Sequence, residues 1–331
     1  MLTETSILLA NIPDAKYVVD QAQRMDKLGY KRIWLSENCV LDAPSLGGAI
    51  AATTQQEIGT AIVPVHSRTP ALLAMTAVTL SRLADGRPVH LGIGAGGKVT
   101  IERWHGMPFE KTVDAVEQTV AIMRQIFDGE KTDFTGSIRH SKGFRLSDGP
   151  PHSVRIHIGG MGPRMRALAA RVADGLIVTW LSPRVLADMA AEFEIAVRNA
   201  GRENDDVELI ARAYVCVSDD PDATREAVRR ELVEYVISPP YGEHFAAVGF
   251  ADEVAAVRSG FQARDRKRAV AGISDRLLDE VLICGRSTAD IAGPLKAYFE
   301  SGAHHLVVQP VSSERFGDPT RTIESVAEAL R

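Results

Sequence analysis

A chain of 331 residues, 45% hydrophobic and 24% charged, can bury a large core, and the length suits an α/β barrel carrying insertions. Its formal net charge of −5 excludes a general basic surface for nucleic acid. The apolar run at 7–10 is too short for a signal sequence, and no stretch reaches the roughly 18 apolar residues of a membrane span, so a soluble cytoplasmic protein is expected. Cys39, Cys216 and Cys284 form no ligand-spaced cluster; no metal is expected, and a reducing compartment is the simple reading.

The predicted elements alternate between strand and helix. Residues 6–9 read as a first strand and 15–28 as an amphipathic helix ending at Gly29, a residue suited to the position after a helix. A second strand is expected at 32–35, then a helical turn at 46–52, a third strand at 57–63, and a helix at 70–83 stopped by Ala84-Asp85-Gly86-Arg87-Pro88. A fourth strand at 89–93 precedes a long helix at 109–127, with apolar Val113, Val116, Val120, Met123 and Ile126. Residues 131–149 look like an inserted hairpin. Ile156 and Ile158 alternate as in a strand, which breaks into Gly159-Gly160-Met161-Gly162-Pro163-Arg164 before a helix over 166–172. Strands at 176–179 and 209–217 flank a helix at 183–200, and another helix spans 221–236. Residues 238–271 read as irregular, with a basic run at their end. The last unit is a strand at 281–284, a helix at 287–301, a strand at 305–308 and a helix at 320–330. About eight strand–helix units without a linker predict one α/β domain over 1–331, a (β/α)8 TIM barrel with insertions at about 131–149 and 238–271. A doubly wound sheet is the alternative.

In a barrel, chemistry gathers at the carboxyl ends of the strands. The glycines at 159–164 let backbone N–H groups approach an anion, and the following helix adds its positive end, so a phosphate fits there; a tight turn without a ligand is the other reading. Gly92-Ile93-Gly94-Ala95-Gly96-Gly97 satisfies a dinucleotide-binding fingerprint after a strand. No helix follows at once, however, and three strand–helix units precede it, which argues against a Rossmann domain.

Several stretches recur together in one order and spacing. They are Gly59-Thr60-Ala61-Ile62-Val63-Pro64 with Arg68-Thr69-Pro70; Leu83-Ala84-Asp85-Gly86-Arg87; Leu91-Gly92-Ile93-Gly94-Ala95-Gly96; Met123-Arg124-Gln125-Ile126-Phe127 with Phe134-Thr135-Gly136; residues 159–164; and Ala173-Asp174-Gly175-Leu176-Ile177. In these the chain resembles the luciferase-like superfamily of flavin and deazaflavin oxidoreductases. It is most similar to the branch using coenzyme F420, which includes methylene-tetrahydromethanopterin reductases. The resemblance implies a TIM barrel, a homodimer and hydride transfer from a bound deazaflavin, with FMN as the alternative cofactor.

The resemblance also assigns residues. The family's Asp-His pair after the second strand is Glu37-Asn38 here, and these two are the catalytic candidates. Asn cannot exchange a proton near neutral pH, which argues against alcohol oxidation. Ala61-Ile62, followed by Val63, falls where the family places a non-prolyl cis peptide behind the ring. Gly94, Gly96 and Gly97 would shape the substrate side, and at Gly97 the dehydrogenase branch carries a carboxylate that is absent here. Gly159, Gly160, Met161, Gly162, Pro163 and Arg164 match the phosphate-binding turn, with Arg164 as the phosphate's partner. Thr179, before Trp180, would touch the phosphate or substrate side. The basic run Arg258, Arg264, Arg266, Lys267, Arg268 reads as solvated, with a clamp on an anionic coenzyme tail as the alternative. His304 and His305 are read as structural. The expected function is an F420-dependent reductase delivering a hydride to an activated C=N, C=C or C=O group of a small molecule. An FMN-dependent monooxygenase and a non-catalytic cofactor-binding relative are the alternatives.

Overall fold

Short polar side chains set where the helices begin. Asp14 accepts from the N–H groups of Lys16 and Tyr17 to open α1 (Ala15–Leu28), and Asp42 accepts from Ser45 N–H to open α2 (Ala43–Ala51). Thr69 caps α3 (Pro70–Leu83) in the same way, with proline at its first position. The computed structural model describes every residue except 38, 39, 150–152, 315 and 316, and every side chain but that of residue 205 as well. Asn38 therefore lies outside the described residues.

Among the described residues, eight parallel strands close into a ring. They are β1 (Thr5–Leu9), β2 (Arg32–Leu35), β3 (Glu57–Thr60), β4 (Val89–Gly94), β5 (Val154–Gly159), β6 (Gly175–Thr179), β7 (Glu208–Val217) and β8 (His305–Pro310). Each pairs with the next in sequence, and β8 returns to β1, so a TIM barrel forms and the open-sheet alternative falls. The outer helices after α3 are α4 (Thr112–Phe127), α5 (Pro163–Val172), α6 (Pro183–Asn199) and α7 (Pro221–Ile237), in chain order. The cap helices α8 (Pro239–Phe245), α9 (Ala251–Gln262), α10 (Arg266–Ala271) and α11 (Asp275–Val281) come next, and α12 (Thr288–Glu300) and α13 (Thr320–Leu330) complete the ring.

Four expectations change. Residues 238–271 are largely helical, not irregular: Pro239 and Pro240 occupy the first turn of α8, where a missing N–H costs nothing. The predicted strand at 281–284 is Leu282–Gly285 and stands outside the ring, pairing with Tyr214–Val217 above the point where β6 stops. The predicted 57–63 strand splits, and Val63–Pro64 pairs with Ile93–Gly94. The 109–127 helix starts at Thr112, after Lys111 takes a left-handed φ of 46°. The inserted hairpin is present as Asp133–Thr135 against His140–Lys142.

The barrel interior is layered. At the amino-terminal floor, Arg32 lies 2.9 Å from Glu57 and 3.6 Å from Glu208, and His90 bonds both Glu57 and His157 at 2.9 Å. Ser6 meets His305 at 2.7 Å. Above this, Leu8, Trp34, Ile177, Ile210 and Val307 form an apolar plug. A second cluster, including Leu232, Phe245, Phe250 and Leu277, holds the cap helices together over Trp180 and Tyr214.

Burial, reinforced by Arg32, holds the imidazoles of His90, His157 and His305 neutral, well below their usual pKa. Above pH 6.5, the ordinary histidine value, folded and unfolded chains alike keep them neutral; below it the unfolded chain takes up protons that the fold refuses. Stability is therefore expected to fall as pH drops through and below 6.5. Urea midpoints measured on both sides of that pH check this, and a flat profile contradicts it.

Candidate active site

Small residues open the carboxyl-terminal mouth. A Cβ at Gly92 would lie 1.8 Å from the Thr60 carbonyl oxygen, so only glycine lets β3 cross β4 there. A Cβ at Gly94 would meet Ile62 Cδ1 at 3.2 Å, and one at Gly159 would meet Ile62 Cγ2 at 2.8 Å. The Ile62 side chain thus lies flat against the ends of β4 and β5. The Ala61–Ile62 peptide is cis, as the resemblance implies. Its surroundings are fixed: Ala61 N–H donates to the Leu35 carbonyl at 2.8 Å, and Glu37 N–H donates to the Ile62 carbonyl at 3.3 Å.

Glu37 is committed to an ion pair. Arg68 Nη2 lies 2.8 Å from its Oε2 and Nε lies 3.4 Å from its Oε1, while Nη2 also bonds Asp42. The two side chains are 13% and 16% exposed. Burial works against the Arg68 charge, but Glu37 and Asp42 outweigh it and hold the guanidinium above its usual pKa. Arg68 belongs to the Arg68-Thr69-Pro70 stretch of the family resemblance, yet nothing in the sequence links it to Glu37.

The 159–164 turn is built as a tight junction. Gly160 N–H donates to the Ile177 carbonyl at 3.1 Å, and Thr179 N–H points at Met161 Sδ, 3.4 Å away. Gly162 caps α5 without a side chain, and Pro163 follows. Arg164 is exposed; it is Arg166 that turns back to the Met161 carbonyl at 3.1 Å and pairs with Glu192 at 2.9 Å. Gly96 and Gly97 are exposed in the loop after β4, where Gly96 has a left-handed φ of 75° beside Pro64. The structure thus joins Glu37, Ile62, Gly94 and Gly159 directly, and Met161 with Thr179. Gly97 and Arg164 stand farther out.

The wall across the mouth was missed. Arg212 follows Glu208 and Ile210 in the inward register of β7, and that alternation was the available signal. Its guanidinium bonds Gln309 and lies 5.1 Å over the Tyr214 ring, while its buried Nε has no protein partner among the described residues. The Thr179 hydroxyl donates to the Tyr214 hydroxyl at 3.3 Å. Trp180, at a left-handed φ of 57°, stacks on Tyr214 with ring centroids 3.6 Å apart and planes 17° apart. It is fully buried packing.

At the floor, ligand-type atoms of His90, His157 and Glu208 come within 4.8 Å of one another. Arg32 already pairs with the carboxylates there, so the group is a compensated network at the end opposite the mouth. In the basic run, Asp265 caps α10 by accepting from Arg268 N–H at 3.0 Å.

With this geometry in place, comparison with known proteins is decisive for the family. The sequence model of luciferase-like monooxygenases matches residues 2–305. The chain belongs to that family. One relative, the 5,10-methylenetetrahydromethanopterin reductase of Archaeoglobus fulgidus, is 27% identical over 331 residues, covering 96% of each chain. The structure of the coenzyme F420-dependent tetrahydromethanopterin reductase from Methanopyrus kandleri superposes with a TM-score of 0.83 at 17% identity, over 100% of this chain and 99% of that one. An F420-dependent secondary alcohol dehydrogenase in complex with an F420-acetone adduct gives 0.81 at 21% identity, over 100% of both chains.

Removing Arg68 would strand the half-buried Glu37 charge. Arg68→Met is expected to lower unfolding stability by about 3 kcal/mol, and adding Glu37→Gln is expected to restore much of it. A double-mutant cycle by urea denaturation measures this; additive losses would break the assignment.

Proposed function

We propose that this luciferase-like protein is an F420-dependent oxidoreductase acting as a reductase on an activated C=N, C=C or C=O group of a small molecule. The observation that carries it is the flat surface made by Ile62 across Gly94 and Gly159, with the glycine turn into α5 beside it. A planar ring fits that surface, and a phosphate fits the helix end. Relatives named for F420 or for methylenetetrahydromethanopterin reduction support the cofactor. When bound in reduced form, F420 supplies a hydride from C5.

The chain's own residues would then do the following. Ala61, Ile62 and Val63 support the ring from behind. Gly94, Gly96 and Gly97 leave room on the acceptor side. Gly159, Gly160, Met161, Gly162, Pro163 and Arg164 hold the phosphate, with Thr179 alongside. Glu37, oriented by Arg68, and Asn38 bond the ring edge. Arg212 faces the acceptor and steadies negative charge that grows on it, in a site walled by Tyr214 and Trp180. Positioning supplies most of the rate: orientation alone is worth roughly 7–11 kcal/mol. Glu37 is committed to its ion pair with Arg68, which supports reduction over alcohol oxidation.

We also infer a homodimer in a reducing cytoplasm. Leu72, Met75 and Leu83 on the outer face of α3 are 43%, 48% and 41% exposed, an apolar stripe that suits a second copy. The free thiols of Cys216 and Cys284 suit the compartment.

Saturable quenching of F420 fluorescence is expected on titration, with no comparable response from FMN. Gly159→Val, which pushes into Ile62, should weaken F420 binding roughly tenfold or more while the circular dichroism stays unchanged. Saturation by FMN alone would overturn the cofactor. Sedimentation should give a dimer that Met75→Lys converts to monomer; a native monomer would end that part of the reading.

A further inference from the structure

The excursion between β7 and the outlying strand Leu282–Gly285 carries α7 and the cap helices α8 to α11. It leaves the barrel at Cys216 and returns at Cys284. These two residues are direct register partners in parallel pairing. Adjacent strands run about 4.8 Å apart with paired side chains on the same face, and disulfides need Cβ atoms roughly 3.5–4.5 Å apart. A small approach of the two strands therefore suffices. Both thiols are free; Cys216 is buried with its Sγ 3.3 Å from Thr224 Oγ1, at the first turn of α7, and Cys284 is half-buried.

We propose that Cys216 and Cys284 form a reversible disulfide that staples the neck of the cap. The hydrogen bond between the two thiols favours the Cys216 thiolate and disfavours that of Cys284; burial opposes the Cys216 charge, and the Thr224 and Ser218 hydroxyls support it. The oxidant is a peroxide. One thiol becomes a sulfenic acid as the O–O bond breaks and the first water leaves, and the second thiol displaces the sulfenic oxygen as the second water. Overall, two S–H bonds are lost, one S–S bond forms, the pair gives up two electrons, and hydrogen peroxide becomes two waters. Because register partners on parallel strands hold Cβ atoms slightly too far apart, the bond is readily reduced again by a dithiol.

The test uses the native chain treated with hydrogen peroxide, then alkylated with N-ethylmaleimide under denaturing conditions and read by mass spectrometry. Of the three cysteines, only Cys39 is expected to take the label. The chain should be lighter by the two thiol hydrogens, with a proteolytic fragment linking Cys216 to Cys284, and dithiothreitol should restore all three labels. Cys284→Ser should abolish the link. Three labels after treatment, a link through Cys39, sulfinic acid without a link, or the same mass loss in Cys284→Ser would each overturn the proposal.

Discussion

The mouth of this barrel depends on one close approach. Thr60 ends β3 by turning its carbonyl oxygen into the space that a side chain at position 92 would fill, and its hydroxyl donates to the Gly92 carbonyl at 2.8 Å. This draws the chain inward at Ala61 and lays Ile62 over Gly94 and Gly159 before Val63 and Pro64 rejoin the edge of β4. Any Cβ at residue 92 would push Thr60 away and lift Ile62 off its surface. The backbone at three strand ends is thus set by the absence of one side chain.

That constraint shapes the carboxyl-terminal end of the barrel, and the rest isolates it. The floor is ionic and histidine-rich; Arg32 is shared between Glu57 and Glu208, so the buried charges are compensated as a set. Such networks are costly when half satisfied, and this one is closed off from the mouth by Trp34, whose ring fills the space over Gly59, together with Leu8, Ile177, Ile210 and Val307. The polar side chains at the mouth are kept from the polar network at the floor by a single apolar layer.

Much of this was legible in the chain. Alternation of apolar strands with capped helices carries the barrel, and the bounds of α1 and α3 agree with their caps and stops. The cap was not legible, because Pro239-Pro240 breaks a helix in its interior but opens one at its start, and sequence does not say which. The Leu282–Gly285 strand looks like a ring member because pairing partners are set across the fold, not along it. Of the site, the glycine turn had a physical signal; the Ile62 surface was visible only through the family resemblance. Arg68 and Arg212 lie far in sequence from Glu37 and Gln309, their partners, and nothing local announces either contact.

The two walls of the mouth differ in a way that bears on direction. On the Glu37 side the carboxylate is paired with Arg68, and the Glu37 backbone N–H donates to the Ile62 carbonyl, so the residue is held in place from both ends. On the opposite side Arg212 has the neutral Gln309 as its hydrogen-bond partner, no carboxylate within 4.0 Å among the described residues, and a buried Nε to spare over Tyr214. A cation beside the Tyr214 ring, with no carboxylate in contact and only the half-buried Glu231 acting on it from farther off, favours a bound group that gains negative charge. An acceptor taking up a hydride gains charge of that sign, whereas an alcohol giving one up first needs a base. On the proposed reading, the asymmetry of the walls suits delivery of a hydride to substrate better than its removal.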